Sequence, residues 1–458
     1  MNPVITEKQN PSVAAVTLGC KLNYSETSAI LDRFSAEGWR ISSIEAGADL
    51  IIVHTCAVTG QAEQKCRQTI RRMIRRHPRS CIAVIGCYAQ LRPELLADIR
   101  GVHAILGSND KFAFELYRDV VACRPDSAVV RVSGLGESDV IHPGYSIPGS
   151  FASSRTRAFL KIQDGCDYGC AYCTIPLARG RSRSLSPEMI VDRAHELAAS
   201  GYREIVLTGV NIGDYRCDGK GFAELLLLLE PVTVERIRIS SLEPDILDDA
   251  LLQVVASSKK IAPHFHVPLQ GGSDGILKAM RRRYTTSAYR DRITAAVAKI
   301  GDCAVGIDVI AGYPGETADE FRQMCCFLED LPAAYLHVFS CSVRPGTSLA
   351  QQVTAGERCL IPPQEANRRS RLLIELGKRK RAEFVSRFVG RECDILVEDC
   401  STESEGELCC TGYTGNYLHV RATAKPGAVD VQSLKGRMFR VLTSHLDDDL
   451  NLRGRLLF

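Results

Sequence analysis

Three cysteines, Cys166, Cys170 and Cys173, stand at C-x3-C-x2-C inside RAFLKIQDGCDYGCAYCTIPLARGRSRS, residues 157 to 184. Structural zinc ordinarily takes four ligands, supplied by paired C-x2-C or H-x3-H units. Here no fourth cysteine or histidine is close by, and Cys217 lies more than forty residues beyond Cys173. A short three-cysteine loop around an iron–sulfur cube is different, because it leaves one iron without a protein ligand, and an open iron is a binding site. Gly165 and Gly169 let the backbone wrap a compact cube, and Tyr172, just before the last cysteine, could lie along a bound base or ring. The spacing therefore reads as an iron–sulfur loop.

A second set of thiols sits near the start of the chain. VAAVTLGC (13–20), DLIIVHTC (49–56) and CIAVIGC (81–87) are short apolar runs. Helical patterns separate or follow them: Ser25 to Gly38, QAEQKCRQTIRRMIRRH ended by Pro78, and PELLADIR beginning on Pro93. Such alternation predicts a parallel sheet covered by helices. The runs end at Cys20, Cys56 and Cys87, on the carboxyl edge where open α/β sheets bind ligands. The plainer alternative is three buried strand-end cysteines, the reading given to Cys81 at the start of the third run.

To position these groups the sequence predicts an α/β chain in three parts. Residues 11–135 form the N-terminal parallel βαβ sheet domain. After a Gly/Pro/Ser-rich linker (133–156) come six strand candidates: 158–163, 204–210, 236–242, 264–269, 304–310 and 335–340. With the helical segments between them they predict an incomplete (β/α)6 barrel within residues 152–385, with chemistry at the carboxyl ends of its strands. A long basic helix (365–388) then leads to a small all-β, OB-like barrel over 386–450, where Tyr413, Tyr417, His419 and Arg421 could grip an oligonucleotide or merely cap the larger barrel.

Composition limits the rest. A hydrophobic content of 45% and a charged content of 24% suit a globular protein. No run approaches the roughly 18 apolar residues of a membrane span, and MNPVITEKQNPS lacks a signal-peptide core; a cytoplasmic protein with no membrane partner is expected. The 19 cysteines are an odd number, which excludes complete disulfide pairing; thiols are expected throughout, those outside the two trios serving as packing residues. A net charge of +3 does not announce nucleic-acid binding; the basic clusters at 71–79, 179–184, 281–284 and 377–381 each read most simply as a solvated face, and the four together improve the case for RNA contact. No phosphate-binding loop or dinucleotide fingerprint supports a hydrolase or dehydrogenase.

The constellation resembles the radical S-adenosylmethionine (SAM) methylthiotransferase family, in its branch acting on N6-threonylcarbamoyladenosine of tRNA. The resemblance rests on TLGCKLNYSE (17–26), HTCAVTGQAEQKCRQ (54–68), GCYAQ (86–90) and the Cys166–Cys173 loop. It continues through LTGVNIGDY (207–215), RISSLEP (238–244), HFHVPLQGGSDGILKAMRRRYT (264–285), IDVIAGYPGET (307–317) and HVFSCSVRPGTSL (337–349), and ends in GYTGNYLHV (412–420), similar to the family's TRAM domain. Departures are Gly169 for a bulky side chain, Asp167 for Asn, Gly272 for the usual Ser, and SCS (340–342) for PYS.

This resemblance implies two 4Fe-4S clusters and SAM as cofactors. Cys166, Cys170 and Cys173 would hold the cluster whose open iron chelates SAM; an electron passed into the sulfonium would give a 5′-deoxyadenosyl radical that removes hydrogen from carbon 2 of the modified adenine beside the anticodon. Cys20, Cys56 and Cys87 would hold the cluster that delivers sulfur, with a second SAM as methyl donor. Gly209, Asn211, Ser241, Glu243 and Gln270 follow barrel strands and could contact SAM or simply brace loops; His264 and His266 share one side of their strand, and Asp308 and GYPGE (312–316) line the same mouth. Expected partners are tRNA, an electron donor of the reductase or flavodoxin type and a sulfur source, with the protein acting as a monomer. Rival readings are the same chemistry on isopentenyladenosine or on a ribosomal-protein aspartate, a non-catalytic iron–sulfur redox protein, and a zinc-bearing RNA-binding protein.

Overall fold

Residues 10–135, 141–146, 156–402, 407–424 and 434–457 are described by the computed structural model. Most of the expected linker lies outside them. The chain divides into two units, Met1–Ser154 with Thr174–Arg181, and Arg155–Cys173 with Ser182–Phe458.

The first unit runs β1 (Ser12–Thr17), α1 (Lys21–Ala36), β2 (Arg40–Ile41), β3 (Leu50–Thr55), α2 (Gly60–Arg76), β4 (Cys81–Gly86), α3 (Cys87–Leu91), α4 (Pro93–Ala97), β5 (Ala104–Leu106), α5 (Phe114–Cys123) and β6 (Val129–Arg131). Its sheet is parallel, in the order β2-β1-β3-β4-β5-β6. Every residue of β3 and β4 is buried, which is why these strands read as unbroken apolar runs: helices cover both faces. Phe34, Trp39, Phe114 and Tyr117 fill one face, and Ile70, Met73, Tyr88 and Leu96 the other.

The second unit opens with β7 (Arg157–Lys161) and the short β8 (Gln163–Asp164). Between them and β9 (Arg183–Ser184) lies α6 (Ile175–Arg179), which belongs to the first unit. There follow α7 (Pro187–Ala199), β10 (Glu204–Thr208), α8 (Phe222–Leu229), β11 (Arg236–Ile239), α9 (Asp249–Ser257), β12 (His264–His266), α10 (Asp274–Ala279), α11 (Thr286–Lys299), β13 (Ala304–Ala311), α12 (Ala318–Asp330), β14 (Tyr335–Ser340), α13 (Ser348–Thr354) and α14 (Pro363–Ser386). β7, β10 and β11 form one parallel sheet and β12, β13 and β14 another. Parallel bridges Ile237–Ile261 and Ser241–His266 join them, giving six strands in an incomplete barrel.

The chain ends in β15 (Glu392–Thr402), β16 (Leu408–Thr414), β17 (His419–Ala424), β18 (Met438–Leu446) and β19 (Leu452–Leu457), a closed barrel in the order β15-β16-β17-β19-β18. This small barrel packs on the amino ends of the larger barrel's strands. Fully buried Glu204, which opens β10, lies 3.1 Å from Arg236 and 2.7 Å from Arg238. Both arginines reach on to carbonyls of the small barrel: Arg236 to Tyr413 and Asp394, Arg238 to Gly415 and Thr414. Burial opposes charge on Glu204, but the two guanidiniums outweigh it and hold the carboxyl below its ordinary range.

One expectation changes here, and one open choice narrows. Cys400 and Cys410, direct cross-strand partners on β15 and β16, are joined as a disulfide rather than left as thiols. Tyr413 and Tyr417, which could grip an oligonucleotide or cap the larger barrel, stack on each other at 4.9 Å. Arg157 covers both rings at 5.2 and 5.7 Å, and Arg238 covers Tyr417 at 4.8 Å. Their faces serve the joint between the two barrels.

Candidate active site

In the first unit Cys20 precedes α1, Cys56 follows β3 and Cys87 opens α3, so three thiols meet at the carboxyl edge of the sheet. Two glycines make this approach possible. At Gly19 (φ +103°) a Cβ would lie 2.8 Å from the Cys56 Cβ and 3.2 Å from its Sγ; at Gly86 (φ +97°) it would lie 2.8 Å from the Thr55 carbonyl oxygen. Burial pushes the Cys56 thiol up to about 12, and Cys87, Cys20 and Cys66 are close enough to add to the rise. Cys66 is no fourth ligand: its Sγ lies 3.4 Å from both the amide nitrogen and the carbonyl oxygen of Cys56, so it braces that residue's backbone.

Beneath the thiols lies a charged network that sequence reasoning missed. Glu26 is fully buried and receives Lys111 Nζ at 2.6 Å and Arg179 at 3.1 Å, with His54 Nε2 at 3.7 Å. Arg179 Nη2 also donates to Asn23 Oδ1 at 2.7 Å, while Asn23 Nδ2 donates to the carbonyls of Leu18 and Thr55 at 2.8 and 3.2 Å. Asn23 thereby ties the segment before Cys20 to the end of β3, and Arg179 fixes Asn23. Arg179 reads as one charge of a basic cluster in the sequence; it is in fact an interior cation.

In the second unit Cys166, Cys170 and Cys173 lie on the loop after β8, with Gly165 (φ +73°) making the turn. Burial pushes the Cys166 thiol up to about 11; the Tyr168 N–H, 3.4 Å from its Sγ, works the other way, and Cys170 adds to the rise. Arg282 Nη1 donates to Cys170 Sγ at 3.2 Å, Arg282 pairs with Glu243, and its Nε donates to the Tyr284 hydroxyl at 2.9 Å. Arg282 comes from the RRRY cluster, whose charges read as a solvated face or an RNA contact, yet its side chain is only 2% exposed. Tyr172 packs against an apolar cluster of Ala171, Ile276, Met280, Tyr313 and Leu349.

The five other candidate residues take different parts. Gln163 Oε1 accepts from the amides of Val210 and Asn211 at 3.0 Å each, and Gly209 leaves room for that strap, since a Cβ there would lie 2.9 Å from Gln163 oxygens. Asn211 donates to Asp214, while its Oδ1 and the Thr208 Oγ1, both buried, have no protein partner among the described residues. Ser241 bridges to His266, and Glu243 is held by Arg282. Gln270 takes a left-handed φ of +70° and bonds through its backbone to Asp308 and Ile310. The GYPGE turn faces α14 instead of the mouth: Glu316 is buried on Arg369, at 2.7 Å. Gly272 is explained by space, since a Cβ would lie 2.4 Å from the Met324 Cα; Gly169 has open space around it.

The donor chemistry suits iron–sulfur clusters. Each trio offers three soft thiol ligands on one sheet edge, the Gly19 cradle leaves Cys56 room, and N–H donors from Tyr168 and Arg282 address the Cys166 and Cys170 sulfurs. The orphan acceptors of Thr208 and Asn211 suit a bound ligand bearing an ammonium group.

Comparison with known proteins agrees. Residues 12–107 match the family described as Uncharacterized protein family UPF0004, and residues 160–328 match the Radical SAM superfamily. The chain is 38% identical over 413 residues to the threonylcarbamoyladenosine tRNA methylthiotransferase MtaB of Bacillus subtilis (strain 168), covering 89% of this chain and 90% of the relative. It is 34% identical over 433 residues to MtaB of Aquifex aeolicus (strain VF5), covering 94% and 99%. Among solved structures, the radical SAM methyltransferase TsrM from Kitasatospora setae superposes with a TM-score of 0.57 at 14% identity, covering 76% of this chain and 78% of that one, a likeness of fold. Two family matches in the right order, together with relatives aligned along nearly the whole chain, place it in the MtaB type of the radical SAM tRNA methylthiotransferases.

Proposed function

We propose that this chain adds a methylthio group to carbon 2 of N6-threonylcarbamoyladenosine beside the anticodon of tRNA. The observation that carries the reading is the pair of thiol trios, each on the carboxyl edge of its own parallel sheet, in a chain 38% identical to a relative named for that activity. Family members carry two 4Fe-4S clusters and use SAM. In our assignment Cys166, Cys170 and Cys173 hold one cluster, and Cys20, Cys56 and Cys87 the other. When bound, these groups supply reductive cleavage of a carbon–sulfur bond and a sulfur for transfer.

The protein's own part is binding, orientation and exclusion of water. Arg282 and the Tyr168 N–H donate to cysteine sulfurs and offset the charge that thiolate ligands bring. Gln163 straps β8 to the end of β10, so that the Cys166 loop and Asn211 keep one spacing. Thr208 and Asn211 offer acceptors to the amino group of SAM, Gly209 allows backbone approach, and Ser241, Glu243 and Gln270 shape the remaining rim. Among the described residues no helix is long and apolar enough to cross a membrane; we place the protein in the cytoplasm as a monomer, served by a flavodoxin-type or reductase electron donor and a separate sulfur source. Nucleoside mass spectrometry of tRNA from cells with and without the gene tests the reading. The methylthio mark on threonylcarbamoyladenosine disappears with the gene; if a methylthio mark on isopentenyladenosine disappears instead, the substrate is wrong.

A further inference from the structure

The interior of the larger barrel carries a polar layer that the cluster chemistry does not use. On β14, Leu336 packs toward α14, where a Cβ on Gly377 would lie 3.1 Å from the Leu336 Cβ. The alternate residues Tyr335, His337 and Phe339 therefore face inward. The register sets His266 beside Gly306, and Asp308 beside His337. Gly306 has no side chain, and a Cβ there would lie 2.1 Å from the Tyr335 ring. Tyr335 can thus lie across β13, and its hydroxyl meets His264 Nε2 at 2.8 Å. This pair lies at the amino ends of β12 and β14. Above it, one oxygen of Asp308 meets His266 Nε2 at 2.7 Å and His337 Nδ1 at 3.2 Å. Above that again come Gln270 and Phe339, the latter 45% exposed. The trio thus sits one layer below the rim, and its outermost member, His337, is 52% exposed on the last strand of the open array.

We propose that His337, braced by Asp308 and His266, reads the polar N6 substituent of the target adenosine; this rests on the function proposed above. The substituents that the family's chemistry must distinguish need opposite surroundings. A threonylcarbamoyl group ends in a carboxylate and a hydroxyl, whereas an isopentenyl group is hydrocarbon. An isopentenyl group pressed against two imidazoles and a carboxylate would strip water from them and return nothing. A polar substituent can replace that water with hydrogen bonds, and sites built to hydrogen-bond a substrate group strongly reject analogues that lack it. Asp308 engages Nδ1 of His337, which leaves Nε2 as the ring nitrogen for a ligand. An N–H at that position is a donor suited to a carboxylate.

The same three side chains bring ligand atoms within 4.8 Å of one another, as a metal site would. Here, however, both ring nitrogens point at one carboxylate oxygen at hydrogen-bonding distance, so a metal would have to break both bonds.

The test uses cluster-loaded enzyme and two purified tRNAs, one with threonylcarbamoyladenosine and one with isopentenyladenosine, with methylthiolated product measured by mass spectrometry. His337→Leu should raise KM for the threonylcarbamoyl tRNA by roughly 10- to 100-fold, the scale of one lost charged hydrogen bond, with kcat within about 3-fold. SAM cleavage without RNA should be unchanged, and His337→Gln should recover part of the loss. An unchanged KM, or an equal loss of RNA-free SAM cleavage, overturns the assignment. So does a metal beyond the cluster iron that is lost in Asp308→Asn. Wild-type enzyme that modifies only the isopentenyl tRNA sinks the proposed function itself, whereas wild-type activity on the threonylcarbamoyl tRNA with an indifferent His337→Leu sinks this inference alone.

Discussion

Cysteine by cysteine, the two trios should separate under mutation. Cys170→Ala removes a ligand of the cluster assigned to SAM and should abolish SAM cleavage, with about four of about eight irons per chain lost. Cys56→Ala should lose a similar share of iron, keep at least part of the cleavage and make no methylthiolated product; equal loss of cleavage in both variants argues against separate roles. Asp308 gives a prediction in pH. Burial favours its neutral form, but the hydrogen bonds from His266 and His337 prevail and lower it to about 2. Its folded value lies below the ordinary carboxylate value near 4, so its contribution to stability is complete above about pH 4 and fades as pH falls through about 2. Asp308→Asn should therefore cost about 2 kcal/mol at pH 6, read from denaturant midpoints, and progressively less toward pH 2. A gap that does not narrow would show that the imidazoles do not hold the charge.

At the level of strands and helices, the joint between the two barrels is the most exposed to mutation. Glu204→Gln leaves Arg236 and Arg238 without their shared counter-charge and should cost about 3–5 kcal/mol, seen as a fall in melting temperature. Gly272→Ser, which restores the residue more usual in the family, should destabilise this chain by about 1–3 kcal/mol, because the new Cβ meets the Met324 backbone on α12; a neutral result would mean that α12 shifts freely. Strand-end placement of Cys56 and Cys87 was legible because a buried parallel strand is a short unbroken apolar run, and the six barrel strands could be read for the same reason. What could not be read are contacts without local pattern. Tyr413 and Tyr417 carry the aromatic signature of an RNA-binding face, yet nothing in β16 or the turn after it reveals that Arg157 and Arg238, far earlier in the chain, cover them. Arg282 and Arg369 likewise look like surface charge until Glu243 and Glu316 are brought beside them.

Over the whole molecule, thiols from three separated segments of the first unit converge on one edge, so a cluster bound there should act as a cross-link. Removing iron with a chelator under anaerobic conditions should lower the melting temperature by several degrees, as expected when a ligand that binds only the folded state is withdrawn; the same midpoint with and without iron would argue against that role. The convergence of Cys20, Cys56 and Cys87 was foreseeable from the strand ends, but the charge network beneath them was not, since Glu26 finds Arg179 at a separation of 153 positions along the chain. That distance matters on the ribosome. Residues 174–181 belong to the first unit, so a nascent chain carrying only the first 154 residues still lacks the guanidinium that settles Glu26 and Asn23. Until the peptide beyond Cys173 has left the exit tunnel, the carboxylate and amide beneath Cys20, Cys56 and Cys87 lack that partner.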